Sequence, residues 1–459
     1  MIRISDVLGI ARRALHAQRA ALNTTGHNIA NASTEGYSRQ RVIMSPTYPI
    51  HKSFGLIGTG VQVTDIERVR NVYLDAQIRT ETSELGRWGL HERIYGELEV
   101  AMAEPSDAGL GTAMSKFWDS WQDLANNPES HAVRNVVQKQ GSVLVETFHD
   151  IYNKVTSLQR NLNVETESYI SQINSLGAQI AELNMKISTT ESQGVNANDF
   201  RDKRDLLLDE LSSLVDISTI ETDNGMVNVT IHGEMFVGLT ESREILTGTR
   251  AIGNVKAIYP HWSNTTEQMT LGGGKLGGII DMQTEIIPDY LDRLDFLALS
   301  LVEQVNTLHQ DGYGQDGSTG NLFFSDQTVG AYNIDLAPAI KNNVEIIAAS
   351  ADGSAGDSSV AMDINQVKTA LVLFNNTTSL TDYYNTMITD LGLESEEAIS
   401  LRANQEMFVD EIELKRQEAS GVSLDEEMTD LIKYQRSFQA AAQLVSAVDE
   451  MMQTVINMI

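Results

Sequence analysis

The two ends of the chain carry the clearest hydrophobic pattern. Near each end, apolar side chains recur at alternating steps of four and three residues, with a few polar interruptions. This spacing places side chains on one narrow face of an α-helix, so each end is predicted to form an amphipathic helix with a seam for another helix. The N-terminal seam consists of Ile4, Leu8, Ala11, Leu15, Leu22 and Ile29, and the C-terminal seam consists of Leu424, Met428, Leu431, Phe438, Ala442, Val445, Met452, Ile456 and Ile459.

The two ends also carry complementary charge. Residues 1–45 hold six arginines against two acidic residues, whereas residues 394–459 hold five basic and fourteen acidic residues. Gly421 and Ser423, with Glu426 three residues after the serine, predict a capped start for the C-terminal helix. We interpret the acidic residues around this start as a solvated helix end rather than a metal site. Because isolated amphipathic helices are marginally stable, the two terminal helices are expected to pair as a coiled coil or to pack on a neighbouring subunit.

The middle of the chain changes from a helical period to a strand period and back. Residues 144–187 keep the helical spacing with a single offset, which predicts one helix of more than 40 residues with Gly177 as its weak point. From residue 215 the apolar positions alternate, and Asn224-Gly225 predicts a two-residue hairpin turn. Helical spacing returns from about residue 284, and residues 311–363 are irregular and rich in glycine.

These elements predict a mainly α fold with an inserted all-β domain. Residues 1–70 and 420–459 are predicted to form the terminal coiled-coil region, with an extended segment after the first helix. Residues 71–214 and 281–419 are predicted to form a long helical-bundle rod domain, and residues 215–280 a small antiparallel β-domain inserted into it.

Composition excludes several classes of function. The 459 residues include 33 Lys and Arg against 63 Asp and Glu, and the net charge of −30 argues against a nucleic acid partner. The absence of cysteine excludes disulfides, thiolate zinc sites and iron–sulfur clusters. We find neither the run of about 18 apolar residues that a membrane helix needs nor the apolar core of a secretory signal. We therefore expect no membrane partner, and if the protein leaves the cell, we expect a route that needs no cleaved signal peptide.

No segment has the pattern of an active site. His91 begins like the zinc-protease motif, but Tyr95 stands where that motif needs its second histidine. The glycine run at 272–278 has Leu276 where a phosphate-binding loop needs serine or threonine, and we interpret it as a flexible turn leaving the β-domain. Residues 311–317 lack the alternating carboxylates of a calcium loop. The sequence predicts neither an enzyme nor a cofactor site.

Both ends of the chain resemble known signatures. The segment NTTGHNIANASTEGYSRQRV, which starts at Asn23, resembles the N-terminal signature of flagellar rod, hook and hook-associated axial proteins. The segment SGVSLDEEMTDLIKYQRSFQAAAQLVSAVDEMM, which starts at Ser420, resembles their C-terminal signature. Within the first segment, asparagines can bond local backbone where the helix ends, a glycine permits a left-handed turn, and a tyrosine starts an extended segment. These motif residues are Asn28, Asn31, Gly36 and Tyr37.

Internal segments narrow the resemblance to the hook-associated protein 1 family. FWDSWQDLANNPES, INSLGAQIAELN, NDFRDKRDLLLDELS and DGYGQDGSTGNLFF are all similar to that family. The resemblance implies a structural adaptor that leaves through the flagellum's own type III channel, polymerises at the hook tip as a helical ring of about eleven subunits and joins hook to filament. It implies the hook protein, hook-associated protein 3 and an export chaperone at the C-terminal helix as partners, and an extracellular location at the hook-filament junction.

Two other functions remain as alternatives. A bulk axial subunit of hook, rod or filament would share the terminal signatures. A type III secreted coiled-coil effector would share the acidic balance and the terminal helices, but it would not be expected to match the axial signatures at both ends.

Overall fold

The computed structural model describes residues 4–53, 55–104, 106–253 and 255–458. Helices dominate it, and small antiparallel sheets lie near the start and the middle of the chain, which confirms the mainly α fold with a small β-domain. The helices are α1 (Ile4–Ala30), α2 (Val72–Met102), α3 (Leu110–Asn126), α4 (His131–Glu191), α5 (Asn198–Leu214), α6 (Gly274–Asp281), α7 (Ile287–Gln310), α8 (Pro338–Asn342), α9 (Ser359–Gln366), α10 (Leu380–Ser420) and α11 (Leu424–Ile456). The strands are β1 (Gln40–Pro46), β2 (Ile50–Lys52), β3 (Gly55–Ile57), β4 (Val61–Arg68), β5 (Ile217–Glu221), β6 (Val227–Ile231), β7 (Glu234–Gly238), β8 (Glu241–Ser242), β9 (Ile245–Ile252) and β10 (Val255–Trp262).

The first and last helices of the chain pack against each other. The end of α1 meets the start of α11, so the two helices run antiparallel. A long hairpin follows α1: β1 pairs with β4 from Gln40↔Arg68 to Pro46↔Val61, and β2 pairs with β3 nearer its tip. Both β1 and β4 pack on α1. The terminal helices therefore pair as the sequence predicts, and the hairpin packs on α1 as well.

The helical bundle is built around α4, a single helix of 61 residues. Its N-cap is Ser130, whose side chain accepts a hydrogen bond from the Val133 backbone. Helices α3, α7 and α9 share one core with α4, and α10 packs along α2. An aromatic cluster at the centre of this core is closed to solvent. It consists of Phe117, Trp118, Trp121, Phe323 and Phe324.

The glycine-rich stretch at 311–363 contains little regular structure but packs into the core. His309, just before it, is fully buried, and its two ring nitrogens contact the Asn321 carbonyl oxygen at 2.7 Å and the Ala348 backbone nitrogen at 3.0 Å. Burial lowers the pKa of His309 to about 4, so the imidazole is neutral at pH 7 and accepts the bond from Ala348. These contacts attach two parts of the irregular stretch, at Asn321 and at Ala348, to α7.

Two small sheets follow α5. Strands β5 to β8 form a four-stranded antiparallel sheet in chain order, and β9 pairs with β10 as a separate hairpin. The hairpin predicted at Asn224-Gly225 is confirmed, since Gly225 has a φ of 76° and Ile217 pairs with Ile231 across the strands that it joins. Its turn is longer than the predicted two residues, because the Thr222 backbone nitrogen donates to the Met226 carbonyl oxygen and so encloses residues 223–225. One face of this sheet packs against the second half of α4 through Val229, Phe236 and neighbouring apolar side chains.

The prediction of a flexible turn at residues 272–278 is wrong from Gly274 onward. Helix α6 begins there, ten residues before the predicted return of helical structure at 284, and it packs on α2. Gly274 has a φ of 74°, and a Cβ there would overlap the backbone at Leu214 and Val215. A Cβ at Gly278 would lie 3.0 Å from the Arg87 carbonyl oxygen. The glycines thus let α6 pack close to its neighbours. The sequence did not predict this role, because glycine usually interrupts helices.

Gly177, the predicted weak point of the long helix, packs against Phe236. A Cβ there would overlap the ring of that buried side chain. We expect Gly177→Ala to lower the stability of the protein by about 1–3 kcal/mol, because overpacking outweighs the gain in helix propensity. Thermal unfolding of the purified chain measures this change.

Gly392 provides the matched control. It lies inside α10, and a Cβ there would meet nothing within 4 Å. The same substitution, Gly392→Ala, should therefore stabilise the protein by about 0.5–1 kcal/mol. Stabilisation by both substitutions would contradict the close packing of the β-domain on Gly177.

Candidate assembly site at the joined chain termini

The N-terminal seam lies partly in the contact between helices. Ala11 is fully buried, while the side chains of Leu8, Leu15, Leu22 and Ile29 are half-buried. The side chain of Ile4 lies outside the described residues. The most deeply buried positions of α1 are instead small or polar: Ala11, Ala17, Ala21, Thr24, Thr25 and Asn28. Small side chains let packed helices approach closely, so the large residues of the predicted seam flank the contact rather than fill it.

The C-terminal seam divides between two environments. Leu431, Phe438, Ala442 and Val445 are half-buried in the terminal pair. Leu424, Met428, Met452 and Ile456 are exposed, from 36% at Met452 to 70% at Ile456, and Ile459 lies outside the described residues. The buried positions of α11 are Glu427, Ala441 and Val448.

Apolar side chains remain exposed along α11 in the single chain. Met428 and Met451 are each 50% exposed, and Ile456 is 70% exposed. A helix with apolar residues beyond its buried face normally has a further partner. We call the following side chains the exposed apolar residues of α11: Leu424, Met428, Ile432, Leu444, Met451, Met452, Val455, Ile456 and Met458.

Asn28 is the centre of the joint between the two ends. Its Nδ2 donates to the Gln40 carbonyl oxygen at 2.9 Å and to Glu427 Oε2 at 3.0 Å. Its Oδ1 accepts from the Tyr37 hydroxyl at 2.8 Å and from the Gln40 backbone nitrogen at 3.0 Å. A side-chain amide has two donors and two acceptor positions, so all four are used at this 1% exposed residue. The bonds therefore hold the turn after α1 and the start of α11 together.

The acidic start of α11 is not simply solvated, which corrects the interpretation from sequence. Glu427 is only 2% exposed, and its Oε1 accepts from Arg39 Nε at 2.7 Å. Arg39 also donates to the exposed Glu426 at 2.7 Å, and its backbone nitrogen donates to the Ser420 carbonyl oxygen. Ser423 caps the helix as predicted. One carboxylate of the cluster is thus a buried partner for the N-terminal segment.

The other motif residues shape the turn that presents these groups. Asn31 donates to the His27 carbonyl oxygen at 3.0 Å, which confirms the predicted local bond. Gly36 has a φ of 75°, the left-handed conformation predicted for it. Burial raises the pKa of the Tyr37 hydroxyl, and the negative charges of Asp199, Asp202 and Glu427 raise it further. Tyr37 therefore remains a neutral hydrogen-bond donor.

An acidic face on α5 anchors the same segment to the helical bundle. Ser38 donates its backbone nitrogen to Asp202 at 3.1 Å, and Arg68 contacts both Asp202 and Asp205 at 2.8 Å. Helix α10 joins through Arg416, which contacts the last acid of the face at 2.6 Å. This acidic face consists of Asp199, Asp202, Asp205 and Asp209, and its arginine partners are Arg68, Arg70, Arg79 and Arg416.

Asp205 is a buried carboxylate of this network that contacts three arginines, Arg68, Arg70 and Arg79. Burial alone would raise its pKa, but Arg70, Arg68 and Arg79 outweigh that effect and hold the pKa at about 2. The carboxylate is therefore ionised throughout the physiological pH range. It gives the three arginines a permanent negative partner.

Sequence reasoning missed Arg39, Asp202, Asp205 and Glu427. The acids of α5 recur at steps of three and four residues, which places them on one helix face. That spacing was the available signal for this side of the joint. Glu427 gave no such signal, because an acidic residue in the first turn of a helix is expected for capping alone.

The residues weighed for catalysis form no site in the described part of the chain. His91 packs beside Tyr95 and lies 3.4 Å from Asp281. Among the described residues, no group of three or more potential metal ligands comes together. None of the described helices is both long enough and apolar enough to cross a membrane.

Comparison with known proteins identifies the family. The model of the flagellar hook-associated protein FlgK helical domain matches residues 95–324, which is half of the chain. The chain belongs to the flagellar hook-associated protein 1 family. Two further models match the ends of this family member: the flagella basal body rod protein at residues 8–37 and the C-terminal model of the flagellar basal body rod FlgEFG proteins at residues 415–458.

Curated relatives carry the same family name. Flagellar hook-associated protein 1 of Bacillus subtilis (strain 168) is 33% identical, covering 98% of this chain and 97% of the relative. The Escherichia coli (strain K12) protein of that name is 28% identical, covering 85% and 73% respectively. The solved structure of the flagellar hook junction protein FlgK from Burkholderia pseudomallei has a TM-score of 0.67 at 15% identity, with 74% of this chain and 99% of that chain covered. This structural similarity supports the fold described for the chain.

The hydrogen bonds of Asn28 generate a test of the joint. We expect Asn28→Asp to weaken the docking of α11 by about 3 kcal/mol, because it removes both donated bonds and places a second carboxylate beside Glu427. Hydrogen exchange of the amides at 427–441 measures the loss as faster exchange.

Asn31 supplies the matched control, since it lies one turn later and bonds only to nearby residues. Asn31→Asp adds the same charge but should cost less than about 1 kcal/mol. If both variants exchanged equally fast, the central role of Asn28 would be wrong.

Asp205 generates a second test, with a defined pH dependence. A folded-state pKa of about 2 against the ordinary 3.8 means that its charge stabilises the fold by about 2 kcal/mol above pH 4. This contribution disappears as the pH falls from about 4 to 2. Asp205→Asn should therefore destabilise the segment at 38–70 at pH 7, and the difference from the natural chain should shrink in acid.

Hydrogen exchange of that segment between pH 7 and pH 3 follows the effect. Glu210→Gln is the control, because Glu210 is an exposed acid on the same helix. A loss for Asp205→Asn that stayed constant across this range would show that the charge of Asp205 is not its source.

Proposed function

We propose that this chain is a structural axial protein of the bacterial flagellum that polymerises at the hook tip and supports the filament as a hook-filament junction adaptor. The family is one of structural flagellar proteins, and we propose no catalytic role. The observation that carries the proposal is the set of exposed apolar residues of α11, on a helix that is fixed in the pair of terminal helices. Neighbouring copies in a helical assembly would cover these residues.

The helical domain favours a junction protein over a bulk axial subunit. The two terminal matches are to models named for basal body rod proteins, so the ends alone would also suit a rod or hook subunit. The match over residues 95–324 is to a hook-associated protein, and it lies outside those ends. This central match supports the junction as the location.

Specific partners follow from the proposed position. The subunits would form a helical ring of about eleven copies, with the hook protein on one side and hook-associated protein 3 on the other. The predicted seams of α1 and α11 would be the contacts between copies. Before assembly, a flagellar export chaperone would cover the exposed apolar residues of α11, since exposed side chains such as Met451 and Ile456 favour aggregation.

Immunogold labelling of intact flagella tests the location. Antibody against the strands at 217–262 should give one band of gold where hook meets filament. Label along the whole hook or filament would make the chain a bulk subunit, and label absent from flagella would refute the axial role.

The exposed apolar residues of α11 lead to a prediction for assembly. Ile456→Glu should leave the monomer folded, because the side chain is 70% exposed. It should reduce polymerisation on isolated hooks by at least tenfold, since burying one such side chain contributes about 1.5–3 kcal/mol. Sedimentation with hooks measures polymerisation, and circular dichroism checks the monomer.

Gln453→Glu is the control for this experiment. It adds the same charge one turn earlier at an exposed polar position, without removing apolar area. Its sedimentation should stay close to that of the natural chain. Normal assembly of the Ile456 variant would remove α11 from the proposed contacts between copies.

A further inference from the structure

A cavity of about 300 Å³ lies between the β9–β10 hairpin and the helical bundle. Helix α4 contributes Tyr152 and Gln159, α7 contributes Asp292 and Asp295, and Tyr332 closes another side. The cavity shares no residue with the joined termini, so binding there does not rest on the proposed role in the flagellum. Its volume is at the lower end of the range for small-molecule sites.

The two carboxylates of the cavity have no cationic partner in the described part of the chain. Asp292 and Asp295 lie one turn apart on α7, and neither makes an ion pair there. The nearby Arg293 is engaged elsewhere, at 2.8 Å from Asp289 and 2.9 Å from Asp390. Burial raises the pKa of Asp295, and the charge of Asp292 raises it further. The cavity thus holds an uncompensated negative charge.

Gln159 gives an independent indication of a missing donor. Its side chain is fully buried, and its Nε2 donates to the Gln283 carbonyl oxygen at 3.4 Å. Its Oε1 has no hydrogen-bond partner among the residues that the structure describes. A buried amide oxygen without a donor is unfavourable. A ligand with N–H groups would supply the donor.

Two tyrosine rings also line the cavity. The rings of Tyr152 and Tyr332 lie 5.6 Å apart with an angle of 42° between their planes. Aromatic faces attract cations, most strongly where water is partly excluded. Asp295 also has a structural role, because its Oδ1 accepts from the Ala331 backbone nitrogen at 2.6 Å. This bond occupies one carboxylate oxygen and leaves Oδ2 for a ligand.

We propose that this cavity binds an organic cation: a primary ammonium or guanidinium group on a short aliphatic stem. The nitrogen would lie between the carboxylates of Asp292 and Asp295 and donate to Gln159 Oε1, with the stem against the tyrosine rings. A divalent metal ion fits less well, because two carboxylates and one amide supply fewer oxygens than calcium requires. The cation belongs either to a free small amine or to a lysine or arginine side chain of a second copy.

Calorimetry on the full-length monomer tests the proposal with butylammonium and butylguanidinium as probes. Both should bind saturably, whereas 1-butanol, the neutral analogue, should not. Asp292→Asn and Gln159→Met should each weaken binding about tenfold, because each removes one charge-assisted or hydrogen-bonded contact. Asp289→Asn is the matched control: it removes a charge from the same helix outside the cavity and should leave the affinity unchanged.

Four results would overturn the proposal: no saturable binding of either cation, equal binding of butanol, an unchanged affinity after Asp292→Asn, or an equal loss after Asp289→Asn. Near-ultraviolet circular dichroism of the Gln159 and Asp292 variants checks that the cavity is still formed. Repeating the titration on protein assembled on hooks distinguishes the two sources of the cation, a free amine and a side chain of a second copy. Retained binding there indicates a free amine, while blocked binding together with weaker assembly of the Asp292 variant indicates a side chain of a second copy.

Discussion

The buried carboxylate of Glu427 constrains how the two ends of the chain meet. A carboxylate that is only 2% exposed is costly unless charged and polar partners surround it. Its partners are Arg39 and Asn28, which come from the other end of the sequence. Helix α11 can therefore dock well only where the end of α1 and the following turn present both groups. This requirement selects one register for the antiparallel pair, and the register decides which α11 side chains face outward.

The same turn transmits this constraint to the helical bundle. Arg39 faces α11, while the neighbouring Ser38 bonds to Asp202 on α5. The hairpin ends nearby with Arg68, which contacts α5 as well. Charged groups need precise geometry to offset their desolvation, so each ion pair limits the position of its neighbours. The terminal helices are consequently attached to the bundle through a network of directed contacts, rather than through a chain of apolar ones.

The limits of sequence prediction follow from the same physics. The long helices and the hairpin at Asn224-Gly225 could be predicted, because period and turn chemistry are local properties. The glycines of α6 were misinterpreted, since their value depends on backbone that approaches from α2 and from Leu214. Glu427 was interpreted as part of the helix cap, because capping alone explains an acidic residue in the first turn of a helix. The seam of α1 was placed on its largest side chains, whereas close helix packing buries Ala17 and Ala21. In each case the missing information was a contact with a residue distant in sequence.

The joint also explains why so much apolar surface on α11 remains uncovered. Hydrophobic burial is strong but has little directional preference, whereas hydrogen bonds and ion pairs specify geometry. Near the start of α11, Glu427 fixes the helix through directed bonds, and farther along Ala441 and Val448 complete the contact with small or medium-sized side chains. The larger side chains, among them Met428 and Ile456, are not needed for this pairing. A monomer held in register by polar contacts can keep its larger apolar side chains available for other copies, which is the property that a polymerising subunit requires.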